Sequence, residues 1–157
     1  MPDADPIFLK LREQAFTWTD HRAPKGVPTG FILETGFDTG SFTLVALSDG
    51  AVSLYFSNGG GMIGMGGRKG PAEAATRLVR QAVRFKDELL PVSEHPLPAE
   101  GEARLYVLID GGLRGAAAPQ EIFGENRSPF SPLFHAAHAL IAAIRKVHED
   151  GAKDPHT

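Results

Sequence analysis

The sequence predicts a single α+β domain: a mainly antiparallel five-stranded sheet flanked by about three helices. Apolar segments of strand length are joined by short turns, and other segments repeat apolar residues with helical periodicity. The two kinds of segment occur in blocks rather than as alternating strand–helix–strand units, which favours α+β over α/β. The 157 residues suit one domain over 1–157. We expect frayed ends over 1–4 and 150–157, because both are polar and proline-containing.

The first predicted element is a short helix within residues 5–18. Apolar side chains recur there at helical spacing, as in Phe8, Leu11 and Ala15. Pro6 suits the first turn of a helix, and Asp5 before it is a good N-cap.

Three strands are predicted next, over 31–37, 41–48 and 51–57. Asp49-Gly50 between the second and third predicts a type I′ hairpin turn, in which both central residues have positive φ. In the third strand apolar and polar residues largely alternate, which predicts one buried face and one wetter face.

A second helix is predicted over 71–90. Its apolar residues fall on one side and its charged residues on the other, Pro71 suits its first position, and Pro91 ends it. A strand over 103–109, a turn at Asp110-Gly111-Gly112 and a partner strand over 113–119 follow.

The C-terminal part is predicted as a polar loop and then a third helix. The loop covers 120–132, and the helix covers 133–150 with Ser131 as N-cap and Pro132 in the first turn. The resulting element order is similar to that of profilin-like and roadblock-type modules, where helices flank a central antiparallel sheet. That similarity of order implies a dimerising or partner-binding role.

Charge is distributed unevenly along the chain. The net charge is −3, yet residues 68–86 carry +5 and the rest carries −8. An acidic body argues against nucleic-acid binding, whereas one basic face suits an acidic protein partner or a small anionic ligand. Cysteine is absent, which excludes thiolate catalysis, disulfides and Cys-type zinc sites.

The sequence favours a cytoplasmic protein without membrane contact. Asp3 and Asp5 stand where a signal peptide would be basic, and no apolar segment follows them. No stretch approaches the roughly 18 apolar residues that a membrane span requires.

The segment NGGGMIGMGGRKG, residues 58–70, is the most unusual in the chain, with seven glycines in thirteen positions. One hypothesis is an anion-binding loop, because glycine N–H groups, nearby cations and a helix N-terminus favour phosphate or carboxylate. The residues predicted to bind are Gly66, Gly67, Arg68, Lys69, Gly70 and Arg77. Residues 59–64 fit G-x-G-x-x-G, but no βαβ unit surrounds them. The alternative hypothesis is that GMIGM forms a short strand or bulged edge.

No catalytic group is identified from the sequence, and neither a cofactor nor a metal is predicted. His135 and His138 could share one helix face, but no third ligand is in reach, so we interpret them as exposed or interfacial. Asp110 is explained by turn chemistry.

Three functions stay open at this point. The first is a non-catalytic interaction or dimerisation module, with a homodimer as its expected state and the alanine-rich last helix as a packing surface. The second is a binder of a small phosphorylated or carboxylated ligand at the glycine-rich segment and the arginine-lined helix after it. The third is an enzyme whose site is assembled from distant loops, using residues such as His21, Arg22, His95 and Asp110.

Overall fold

A seven-stranded antiparallel sheet forms the centre of the computed structural model, which describes residues 3–153. The strands are β1 Gly30–Phe37, β2 Gly40–Leu47, β3 Val52–Phe56, β4 Gly61–Ile63, β5 Leu90–Val92, β6 Glu102–Ile109 and β7 Gly112–Pro119. Their order across the sheet is β4-β3-β2-β1-β6-β7-β5. The α+β prediction and the antiparallel sheet are confirmed. The prediction of five strands omitted the three-residue edge strands β4 and β5, which are too short to show a periodic pattern.

Four α-helices surround this sheet. They are α1 Pro6–Phe16, α2 Lys69–Ala82, α3 Gln120–Gly124 and α4 Ser131–Lys153, and a 3₁₀ turn over Met65–Gly67 precedes α2. The predicted Asp5 cap on α1 is confirmed, because its carboxylate accepts the Ile7 N–H at 2.8 Å. Of the predicted frayed ends, residues 1–2 and 154–157 lie outside the described residues.

Helices pack on both faces of the sheet, and each face contributes to its own apolar core. Successive strand residues point to opposite faces, so Leu33 and Leu44 join the core under α2 and α4, while Ile32 and Val45 join the core under α1. The prediction that one face of the third strand is wetter is therefore wrong. Tyr55 on that face is buried under α1.

A buried ion pair attaches α1 to the sheet. The Arg12 guanidinium donates to both carboxylate oxygens of Glu34 on β1, at 2.6 and 2.7 Å, and Glu34 is 0% exposed. The Thr43 hydroxyl on β2 also donates to Glu34, and Arg12 donates to the backbone carbonyl of His95. The pair thus joins α1, two central strands and the loop after β5.

The hairpin turns differ in type. Asp110 and Gly111 both have positive φ, 54° and 76°, as a type I′ turn requires. Between β2 and β3 only Gly50 has positive φ, and the Leu47 N–H donates to the Ala51 carbonyl across a three-residue loop. The type I′ prediction for Asp49-Gly50 is therefore wrong, because the loop is one residue longer than a type I′ hairpin allows.

The helix bounds correct four further predictions. α2 begins at Lys69, so Pro71 is its third residue rather than its first. The helix ends at Ala82, and a series of turns follows it, whereas the prediction placed its end at Pro91. Within the predicted loop 120–132, Gln120–Gly124 forms α3. Ser131 is the first residue of α4 and is therefore not the predicted N-cap. In the loop before the helix, the hydroxyl of Ser128 accepts the Phe130 N–H.

Among the helices that the structure describes, none combines the length and the apolar character needed to cross a membrane.

Substitution Glu34→Ala should lower the free energy of unfolding by about 3–5 kcal/mol, because it leaves the Arg12 charge buried without its partner. Equilibrium urea denaturation measures this. Glu125→Ala is the control, since the Glu125–Arg127 pair is more than half exposed and its loss should cost about 0–1 kcal/mol. Equal losses in the two variants would contradict the role assigned to Glu34.

Gly36→Ala should destabilise the fold by roughly 1–3 kcal/mol, because overpacking against backbone cannot relax cheaply. A Cβ on Gly36 would lie 2.2 Å from the Ala99 carbonyl oxygen. Gly70→Ala is the matched comparison: a Cβ there meets nothing within 4 Å, and the residue is in the first turn of α2. We expect G70A to be neutral or slightly stabilising, as thermal melts of both variants will show.

Candidate functional site

A groove of about 530 Å³ opens between the C-terminal half of α4 and the ends of strands β1, β2 and β3. We call it the α4 groove. One wall is α4; the other is the β1–β2 hairpin together with Asn58, which follows β3. Its lining residues are Phe37, Thr39, Gly40, Ser41, Phe42, Leu54, Phe56, Ser57, Asn58, His138, Ile141, Ala142, Arg145, Lys146 and Glu149.

The α4 wall is one face of the helix. His138, Ile141, Ala142, Arg145 and Glu149 recur at intervals of three or four residues, and such residues share a helix face. Ile141 is buried and belongs to the core, whereas the other four are exposed. The helix therefore presents an apolar base and a polar rim to the same opening.

The floor of the groove is formed by side chains of the main core. Leu54 and Phe42 are buried core residues, and Phe56 packs beside them. Phe37 at the mouth is 40% exposed, and its ring centroid lies 6.0 Å from that of Phe42. The imidazole of His138 meets Phe42 edge-on at 6.4 Å. Aromatic surface thus faces an open cavity instead of another element of the fold.

The rim is polar and carries a formal charge of +1. Arg145 and Lys146 supply two cations, and Glu149 supplies one anion. Neither Arg145 nor Lys146 forms an ion pair with a side chain that the structure describes. The groove therefore combines an apolar interior with positive charge at its opening.

The folded chain lowers the pKa of His138, which favours the neutral imidazole. Burial is the largest cause, and the charges of His135 and Arg145 act in the same direction. A neutral imidazole can donate or accept one hydrogen bond without adding charge to the rim.

The residues predicted to bind an anion lie away from this groove. Gly66 and Gly67 end the 3₁₀ turn, Arg68 is the N-cap of α2, and Lys69 and Gly70 form its first turn. None of the described side chains caps this end of α2. Pro71 at the third position lacks an N–H, which removes one donor from the helix N-terminus. Arg77 is exposed two turns later. None of these residues lines the α4 groove, and anion binding at α2 stays a prediction.

The alternative interpretation of GMIGM is confirmed at the level of the backbone. Gly61–Ile63 is the edge strand β4, which pairs antiparallel with β3. A Cβ on Gly61 would lie 2.8 Å from the Leu54 carbonyl oxygen. At this position glycine allows the close approach of two strands.

The distant-loop residues are only partly brought together. His21 and Asp110 both line a second cavity, of about 280 Å³, near the end of α1. Asp110 there accepts the Gly26 N–H at 2.7 Å, which ties two loops together. Arg22 is exposed and does not line this cavity. His95 stacks on Phe16 at 4.1 Å and contacts Glu13.

The histidine pair on α4 is split between two environments. His135 is exposed and shares a 2.8 Å hydrogen bond with Asn126, whereas His138 lies at the groove. Among the side chains that the structure describes, no three from His, Asp or Glu are arranged to hold a metal ion.

Comparison of the chain with family models, with curated proteins and with solved structures finds no match in any of the three. The function proposed below is therefore argued from the geometry of the α4 groove.

Sequence reasoning missed this groove because its residues come from three distant segments, 37–42, 54–58 and 138–149. One signal was present. The face of the last helix changes from apolar to charged after Ile144, as Arg145, Lys146 and Glu149 follow. Such a change indicates that the end of the helix leaves the core.

His138→Gln should make stability less sensitive to acid. The folded chain holds the pKa of His138 below the ordinary value of about 6.5, so the unfolded chain binds more protons as the pH falls through that value. Stability is thus unaffected by this group above pH ~6.5 and is lost below it. Urea midpoints at pH 7.5 and 5.0 should differ less in H138Q than in the native chain.

The control is His148→Gln, an exposed position on the same helix that does not line the groove. It should retain the native acid sensitivity. An H138Q variant that loses as much stability on acidification as the native chain would contradict the assignment.

Proposed function

We propose that this protein is a non-catalytic binding module that takes the apolar part of a small ligand into the α4 groove. The observation that carries the proposal is a cavity lined by three aromatic side chains, of which Phe37 is exposed, Phe56 is half-buried and Phe42 is buried. A volume of about 530 Å³ falls within the roughly 300–1,000 Å³ of small-molecule sites, which are mostly apolar with a few polar groups.

Burial of the floor supplies the driving force. Each Å² of apolar surface removed from water contributes about 25 cal/mol, and Phe37 is the large side chain of the groove with the most to gain. Because Leu54 and Ile141 are fixed in the core, the floor is held in place before a ligand arrives. Such preorganisation lowers the ordering cost of binding.

The other functions expected from the sequence stay predictions. For the homodimer, the alanine-rich face of α4 was the expected packing surface. That surface is divided: Ala137 is buried in the core, Ala142 lines the groove, and Ala139 is exposed. This division favours the groove over a continuous alanine interface as the functional part of α4.

Ala142→Phe should fill the groove and abolish binding of the neutral fluorescent probe N-phenyl-1-naphthylamine. The native chain should bind this probe with increased fluorescence, because the apolar floor excludes water. Ala139→Phe is the matched control: it adds the same side chain to the same helix at an exposed position outside the groove lining. Fluorescence titration gives the affinity of each variant, and circular dichroism checks that both remain folded.

A139F should bind the probe as the native chain does. If the native chain fails to bind the probe, or if A142F binds it unchanged, the proposed function is wrong.

A further inference from the structure

We propose that the ligand of the α4 groove is a free amphipathic monocarboxylate, with its apolar body on the aromatic floor and its carboxylate between Arg145 and Lys146. This inference rests on the proposed function and names the chemical class that the site selects. Three features of the groove lead to it: the sign of the rim charge, its size, and its position relative to the floor.

The sign of the charge selects an anion. Arg145 and Lys146 line the opening, and neither is paired with a carboxylate among the side chains that the structure describes. Hydrogen bonds from charged donors to a carboxylate are among the strongest in proteins, and guanidinium matches carboxylate geometry. A ligand carboxylate would give these donors the partner that they lack among the described side chains.

The size of the charge selects a monoanion. With Glu149 included, the rim carries a formal +1, which one carboxylate neutralises. A phosphate monoester carries nearly two negative charges at neutral pH and would leave excess negative charge beside Glu149. His138 adds no charge in its neutral form, which its lowered pKa favours through partial desolvation of the ring.

The position of the charge selects an amphipathic molecule. Arg145 lies one helical turn beyond Ile141, and Ile141 belongs to the core that forms the floor. A carboxylate at Arg145 therefore places the rest of the ligand over Phe42 and Phe56. A cavity of about 530 Å³ suits a single small molecule better than a folded partner, whose interface would cover a much larger surface.

The test compares decanoate with decanol, which share one alkyl chain and differ in charge. Each displaces N-phenyl-1-naphthylamine from the native chain at pH 7.5, where decanoate is ionised. We expect decanoate to bind about tenfold more tightly than decanol. In the double variant R145Q/K146Q this preference should disappear while the affinity for decanol is unchanged. Added salt should weaken decanoate binding more than decanol binding.

The matched control is R77Q/R80Q, which removes the same two charges from the exposed face of α2. It should retain the native preference for decanoate. Loss of the preference in R77Q/R80Q, with R145Q/K146Q unaffected, would move the anion site to α2 and overturn the inference.

Equal affinity of the native chain for decanol and decanoate would also overturn the inference, while the proposed apolar groove would stand. If neither compound displaces the probe, or if the probe itself does not bind, the proposed function fails together with the inference.

Discussion

The contact between Arg12 and Glu34 is the constraint on which one whole side of this protein depends. Glu34 lies in the middle of β1, the central strand, so its carboxylate would be costly to bury without a cation. Arg12 supplies that cation from α1 and also holds the carbonyl of His95. α1 and the loop after β5 are thereby fixed over a sheet face that would otherwise be open to water. Removing either partner would leave the other charge buried and unpaired, which is strongly destabilising.

With α1 fixed on one face, α2 and α4 are left to cover the other, and they do not cover all of it. α4 has 23 residues and packs against α2 and α3. Its residues between His138 and Glu149 line the groove beside the β1–β2 hairpin, where Phe37 stays exposed. Arg145 and Lys146 give that opening its charge.

Much of the architecture follows from local patterns that can be read along the chain. Asp5-Pro6 starts α1, apolar segments of strand length and the turn at Asp110-Gly111 indicate the hairpins, and the apolar stripe places α4. These features depend on neighbours within a few residues, which is why the α+β class was predictable. Local patterns were less informative where elements are short. β5 and α3 have three and five residues, and their existence depends on pairing and packing with β7 and α4.

By itself the sequence determined the longer elements, their order and the uneven charge of the chain. Tertiary structure alone decided which surfaces remain exposed. The sheet face under α1 is buried because Arg12 contacts Glu34, which lies 22 residues away in the sequence. The groove forms because segments about 100 residues apart lie opposite each other in the fold. The glycine-rich segment attracted the first hypothesis because its composition is unusual, while the groove is built from ordinary residues. Periodicity records which side of an element is apolar, but only the packed fold determines whether another element covers that side.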